Sequence, residues 1–300
     1  MDSAAEMTAA MRWLAPAWSP RQQAASIGAP DGVTPLHLPG STQSYTRAQL
    51  ADASRAVDWW PGDHPPMPSI VEGGAGKPMP CALCHLPNGA GEPQNAPLAG
   101  LSAAYLTAQL NAFRTGSRSN SRVMQLVATH LSAADIQTAA AYYAALAMPP
   151  DRIHVVETGR VPALHTDYWM LLPTPLAGAQ ALGNRLIETP AEVEQMKRRD
   201  ARAGYVAFVP NGSIARGRTL AAGAADHPSS CASCHGLQLR GSATAPPLAG
   251  RSPTYITRQL VQFRLGGRRG PQSEAMQKVV APLTLGDMIS LAAYTATLKP

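Results

Sequence analysis

Cys81-Ala82-Leu83-Cys84-His85 returns as Cys231-Ala232-Ser233-Cys234-His235, and these two runs hold all four cysteines of the 300-residue chain. In C-x-x-C-H the thiols lie one helical turn apart, so both can add across the vinyl groups of one haem while the next imidazole reaches the iron. The pattern predicts two covalently attached haem c groups, tethered through Cys81, Cys84, Cys231 and Cys234, with His85 and His235 as iron ligands. Two other chemistries use cysteine pairs: four thiolates close a structural zinc site, and a single C-x-x-C serves as a redox dithiol. Zinc gives no reason for a histidine directly after each pair. A dithiol of the thioredoxin kind belongs in a βαβ setting, whereas the surroundings here read as helical and alanine-rich.

Outward from the two motifs, the chain repeats itself at a shift of 150 residues. Ala96-Pro-Leu-Ala-Gly100 returns as Pro246-Pro-Leu-Ala-Gly250, and Tyr105, Gln109, Leu110, Phe113, Arg114 and Gly116 return as Tyr255, Gln259, Leu260, Phe263, Arg264 and Gly266. Repetition of this kind predicts a duplicated domain. Tyr105, Gln109, Ala112 and Phe113 share one face at helical spacing, with Ser102 as cap and Gly116 as stop, so a helix is expected over Ser102 to Thr115. Ser132 to Asp135 and Thr284 to Asp287 read as capping boxes opening a final alanine-rich helix in each copy. Pro68 to Gly73 and Gly212 to Gly217 read as the start of each copy's first helix. The resulting division is an irregular extension at 1–66, a first domain at 67–150, an irregular interdomain extension at 151–210 and a second domain at 211–300. All five tryptophans, Trp13, Trp18, Trp59, Trp60 and Trp169, fall in the two extensions, which argues that these dock on the domains.

Composition bounds the remaining possibilities. No run of about eighteen apolar residues is present, so no transmembrane segment is expected. No secretory leader is visible at Met1 to Pro20. Covalent haem attachment outside the cytoplasmic membrane nevertheless implies a periplasmic protein whose leader has been removed. The formal charge is +6, and haem propionates would offset most of it. Arg240, Arg251, Arg258, Arg264, Arg268 and Arg269 crowd the second motif, either as a basic face that steers an acidic partner or as propionate partners. No basic run is interleaved with stacking aromatics, which excludes nucleic acid as the partner.

A haem iron that cycles electrons without binding substrate needs a second axial ligand. Met124 and Met276 stand at equivalent places downstream of His85 and His235 and are the expected ligands. Met67, Met79 and Met148 have no methionine at the equivalent position, and Met288 matches Ile136, so these read as packing residues. His130 is the rival for the first iron, but its equivalent is Pro282. His37, His64, His154, His165 and His227 are likewise unpaired. The carbonyls of Pro97 and Pro247 are expected to accept from the free imidazole nitrogens. Arg114, Arg118, Arg264 and Arg268, with the Tyr105 and Tyr255 hydroxyls, are expected to donate to propionates.

In sum these residues resemble the dihaem class I cytochromes c of the cytochrome c4 type and their c553-like relatives. The likeness rests on two C-x-x-C-H motifs, two P-L-A-G segments, two Y-x-x-x-Q-L-x-x-F-R-x-G helices and two later methionines. It covers about Ser69 to Met148 and Ser213 to Pro300. The resemblance implies an all-α fold of two cytochrome c domains related by a pseudo-twofold, with propionates near their interface and one-electron transfer as the activity. The two long extensions depart from the minimal pattern. Redox proteins are the expected partners, a dehydrogenase or terminal oxidase among them. A dihaem peroxidase and a permanent cytochrome subunit of a larger complex are the alternatives; the matched methionines argue against the peroxidase.

Overall fold

The computed structural model describes residues 2–15, 34–74, 79–167, 170–223 and 230–300. The helix expected after Ser102 spans Ala103–Thr115. The Ser102 hydroxyl accepts from the Tyr105 N–H, and Gly116 ends the last turn at φ 76°, which glycine adopts without a Cβ clash. Pro253–Arg264 starts the same way, the Ser252 hydroxyl accepting from the Tyr255 N–H at 3.1 Å. Both expected capping boxes form: Ser132 and Asp135 open Ala133–Ala144, and Thr284 and Asp287 open Leu285–Ala296. Met124 and Met276 ride on Arg122–His130 and Glu274–Val280.

The two halves differ at their entry helices. Ser213–Ala222 has ten residues and crosses Leu285–Ala296 so closely that a Cβ on Gly217 would lie 1.9 Å from the Ser290 carbonyl oxygen. Ser69–Glu72 is a single turn, although its Ile70 and Val71 still enter the first core beside Leu101, Leu106, Ile136 and Tyr143. Among the described residues no single helix is long and apolar enough to cross a membrane.

Among the described residues both extensions carry regular structure, strands included, so the chain is not all-α. Ala4–Leu14 is a helix that buries Met7, Ala10 and Leu14 in the second half's core, against Leu220, Ile256 and Val261. The spacing of those three side chains is that of one helical face. Between the halves lies a small sheet in which Tyr205–Val209 pairs parallel with Ile153–Glu157 and antiparallel with Ile187–Pro190. Two separate antiparallel pairs, Leu164–Asp167 with Met170–Pro173 and Arg160–Pro162 with Ala179–Ala181, accompany it. The cause is local: Tyr205, Ala207 and Val209 are buried and alternate with half-buried Val206 and Phe208, the two-residue period of a strand.

This sheet ties the halves together. Buried Arg152 donates through Nη1 to the Ala90 and Gly91 carbonyls of the loop after the first motif, at 3.1 and 3.0 Å. Buried Glu188 accepts from Ser252 Oγ at 2.7 Å and from the Thr254 N–H at 3.1 Å, at the start of a second-half helix. Of the described tryptophans, Trp13 docks on the second domain as expected, whereas Trp59 and Trp60 bind the other extension instead of a domain. Trp59 Nε1 donates to the Arg198 carbonyl at 2.7 Å, and Trp60 Nε1 to Asp200 at 2.6 Å with the Arg202 guanidinium stacked 3.7 Å above its ring. Trp13 packs against the second core. Trp18, Trp169 and His227 lie outside the described residues.

The halves also meet directly. Arg118 and Arg268 face each other in an antiparallel bridge, flanked by Ser119 N–H to Gly267 O and Arg269 N–H to Ser117 O, both 2.8 Å. Each guanidinium stacks on the phenylalanine of its own half, Phe113 or Phe263, at 4.4 and 4.2 Å.

Candidate functional site

Each C-x-x-C-H run folds into one helical turn, Ala82–His85 and Ala232–His235, closed by the histidine N–H donating to the first cysteine's carbonyl at 3.0 and 2.9 Å. The turn places both thiols and the imidazole on one side of a short, rigid segment. Beyond it the chain bends at Leu86 and Gly236, both at positive φ, and Gly91 and Gly241 donate back to the His85 and His235 carbonyls at 3.0 and 2.7 Å. The two loops therefore turn back on the histidine carbonyl in the same way.

Both imidazoles are buried, and each is held through Nδ1, to the Ala96 carbonyl at 2.8 Å and to the Pro246 carbonyl at 2.7 Å. The acceptors are not the expected Pro97 and Pro247 carbonyls but those one residue earlier. A residue before proline is driven into extended backbone, which turns its carbonyl away from the ring that follows. The Pro97 carbonyl serves elsewhere, accepting from Arg251 Nη1 at 2.7 Å. Because a carbonyl only accepts, Nδ1 must carry the proton and Nε2 is left with its lone pair. Burial lowers the pKa of both histidines, holding them neutral, the state in which imidazole binds a metal.

The thiols tell the zinc and dithiol readings apart from haem. Among the described residues no group of three or more His, Cys, Asp or Glu side chains converges as a metal site, because the two pairs sit in different halves. Burial pushes the Cys81 thiol up to about 12 and the Cys84 thiol up to about 11, opposite to the depressed pKa of a redox dithiol.

The arginines separate into two groups. Arg114 donates through Nε to the Ala128 carbonyl at 3.1 Å and through Nη2 to Leu131 O at 2.5 Å, and Arg264 donates to Val280 O at 3.2 Å. These two therefore close the ends of the helices carrying Met124 and Met276, where carbonyls lack intrahelical donors. Arg118 and Arg268 do converge at the interface. Arg118 reaches Gln109 Oε1 at 2.7 Å and Gln259 Oε1 at 2.9 Å; Arg268 reaches Gln259 Oε1 at 3.1 Å, Gln109 Oε1 at 2.9 Å and the Tyr105 hydroxyl at 3.2 Å. Burial opposes ionisation of Tyr255, yet Arg118 and Arg268 outweigh it and lower its pKa. Arg251 is not part of a basic face either: it is buried, with Nη2 on the Ala99 carbonyl at 2.8 Å.

Arg118, Arg251 and Arg268 are thus buried cations whose hydrogen-bond acceptors are neutral oxygens among the described residues. Burying a cation costs several kcal/mol unless an anion accompanies it. A prosthetic group bearing carboxylates fits that donor set, just as the free Nε2 atoms fit its iron. Sequence reasoning had Gln109 and Gln259 only as repeat matches, had Arg251 only as one of a cluster of arginines near the second motif, and missed Arg152. Their burial is set by surfaces distant in sequence.

Met124 and Met276 are half-buried, and Met276 packs against the second core. His130 is exposed at the last turn of its helix. Met67 and Met148 pack on the first core and Met288 is fully buried, as packing residues should be, whereas Met79 is exposed. His37, His154 and His165 are exposed, and His64 is held by Asp58 and the Pro65 carbonyl.

The model of the cytochrome c family matches residues 214–299. Cytochrome c-554(547) of Halothiobacillus neapolitanus is 42% identical over 96 residues, 29% of this chain and 99% of that protein. The thiosulfate dehydrogenase electron acceptor of Stutzerimonas stutzeri is 28% identical over 233 residues, 75% of this chain and 82% of its own. Among solved structures, thiosulfate dehydrogenase (TsdBA) from Marichromatium purpuratum superposes with a TM-score of 0.50 at 28% identity. That match covers 74% of this chain but only 37% of the longer one. The chain belongs to the cytochrome c family, with the dihaem cytochromes c4 among its relatives. Its cofactor is covalently bound haem c, two groups to the chain, and its activity is electron transport.

Proposed function

We propose that the chain is a periplasmic carrier that takes single electrons from a dehydrogenase and passes them on through two His/Met-ligated haems, transforming no substrate of its own. The observation that carries this reading is the twice-built site: the same tether, the same Nδ1 clamp and the same downstream methionine at Cys81, His85 and Met124 and at Cys231, His235 and Met276. Bound haem supplies the Fe(II)/Fe(III) couple, which a thioether ligand biases toward the reduced state.

The chain's own residues do the rest. The cysteines hold the group covalently, the Ala96 and Pro246 carbonyls fix each imidazole's tautomer and plane, and Arg114 and Arg264 fasten the methionine-bearing helices. Arg118 and Arg268 would hold the propionates at the junction of the halves, with Tyr105 and Tyr255 beside them. The matched loops support an internal duplication, with domains at 67–150 and 211–300 separated by the 151–210 sheet and bound by the 1–66 segment.

For the donor, the relatives named for thiosulfate dehydrogenase support an enzyme of that kind. Haem-loaded protein mixed with a thiosulfate dehydrogenase and thiosulfate should be reduced at both haems far faster than with thiosulfate alone. Reduction by a chemical reductant but not by the enzyme would remove this donor. A second reading, a permanent cytochrome subunit, is favoured by the likeness to part of the longer thiosulfate dehydrogenase chain. Copurification of a stable complex would select it.

A further inference from the structure

The two sites share several loop bonds, and among their side-chain differences one pair is reciprocal. Gly89 and Leu239 hold the same loop position. The Gly89 carbonyl accepts from Leu98 and Ala99 N–H at 2.7 and 3.0 Å, and the Leu239 carbonyl from Leu248 and Ala249 N–H at 2.8 and 3.1 Å. Both are left-handed, at φ 70° and 59°, a conformation that glycine adopts freely and leucine does not. Across from them, at the same distance past the capping residues Ser132 and Thr284, the final helices carry Tyr143 and Thr295.

A Cβ on Gly89 would lie 3.0 Å from Tyr143 Cδ1, so the first loop has given up a side chain to admit a ring from the helix. The second loop keeps a buried leucine in a disfavoured conformation, and its helix residue is small. Volume is roughly conserved by the exchange, but polarity is not. The Thr295 hydroxyl donates to the Ala292 carbonyl of its own helix at 2.9 Å. The Tyr143 hydroxyl is buried and has no hydrogen-bond partner among the described residues. Its ring centroid is 6.4 Å from that of His85, edge to face, and a phenol hydroxyl is able to donate. A buried hydroxyl left unpaired is costly, and this one stands beside the groups that hold the first haem.

We infer that the Tyr143 hydroxyl donates a hydrogen bond within the first haem site alone and thereby helps to separate the reduction potentials of the two haems. This rests on the dihaem carrier reading. An O–H dipole presents its positive end to a centre that gains an electron, so it favours the reduced state and its loss lowers the potential.

The test uses the full, haem-loaded chain and potentiometric titration followed by visible spectra. Tyr143→Phe should shift one midpoint downward and leave the other in place, while Thr295→Val moves neither. Two unmoved midpoints, or two equal shifts, would overturn the inference. Haem quantification of the unsubstituted protein tests the underlying reading separately, since fewer than two haems per chain defeats it whatever Tyr143 does. Should Tyr143→Phe load poorly, the double exchange Gly89→Leu with Tyr143→Thr transplants the second site's pair. The two midpoints should then converge, and persistence of their original separation would overturn the inference as well.

Discussion

At the scale of single residues, each half depends on one nitrogen being occupied and its neighbour being free. Nδ1 of His85 and of His235 is held by a main-chain carbonyl, so neither ring can rotate or change tautomer without losing a buried bond. The methionine assignment is tested by replacement. Met124→Ala and Met276→Ala should each remove about half of the near-infrared methionine-to-iron band, since one of two irons loses its thioether, and lower one midpoint potential. An unchanged spectrum in either variant would transfer that position to another ligand. The arginines show why residue type alone does not assign a role. Arg114 and Arg118 are four positions apart, yet one closes a helix end and the other lies under the second half.

Among the elements, Ser213–Ala222 and Leu285–Ala296 cross closely at Gly217. Gly217→Ala drives a methyl into the Ser290 carbonyl, where helix backbone on both sides prevents relaxation. Overpacking of this kind costs about 1–3 kcal/mol or more, so thermal unfolding should begin several degrees lower; an unchanged melting curve would show that the helices can slide apart. The caps were legible from residue types because Ser132 with Asp135, or Thr284 with Asp287, needs only its own first turn. The strands were not read from the sequence: Tyr205-Val-Ala-Phe-Val209 is apolar throughout, so its alternation exists only in burial, and a parallel partner fifty residues earlier cannot be found from local pattern.

For the whole molecule, the halves are joined by bonds from buried cations to main-chain carbonyls. Arg251 reaches from the second half to Pro97 and Ala99 in the first, and Arg152 reaches from the sheet to Ala90 and Gly91. Arg251→Met should leave two buried carbonyls without donors, at about 1–3 kcal/mol each, and differential scanning calorimetry should resolve one joint unfolding transition into two. A single transition at the original temperature would show that the sheet and the Arg118–Arg268 bridge suffice to couple the halves. Because each half contributes an arginine, a glutamine and a tyrosine to the same junction, separation of the halves would expose the donors that a carboxylate-bearing cofactor needs.

The amino-acid sequence by itself determined the haem chemistry, the two-site organisation and the capped helices, since each depends on spacing within a turn or a repeat. Only the tertiary structure decided which carbonyl orients each imidazole, which arginines are buried, and where the extensions lie. It also revealed that Gly89 makes room for a tyrosine whose counterpart is a threonine. Those outcomes depend on which distant surfaces exclude water from a given side chain, and burial is a property of the packed molecule, not of any stretch of its chain.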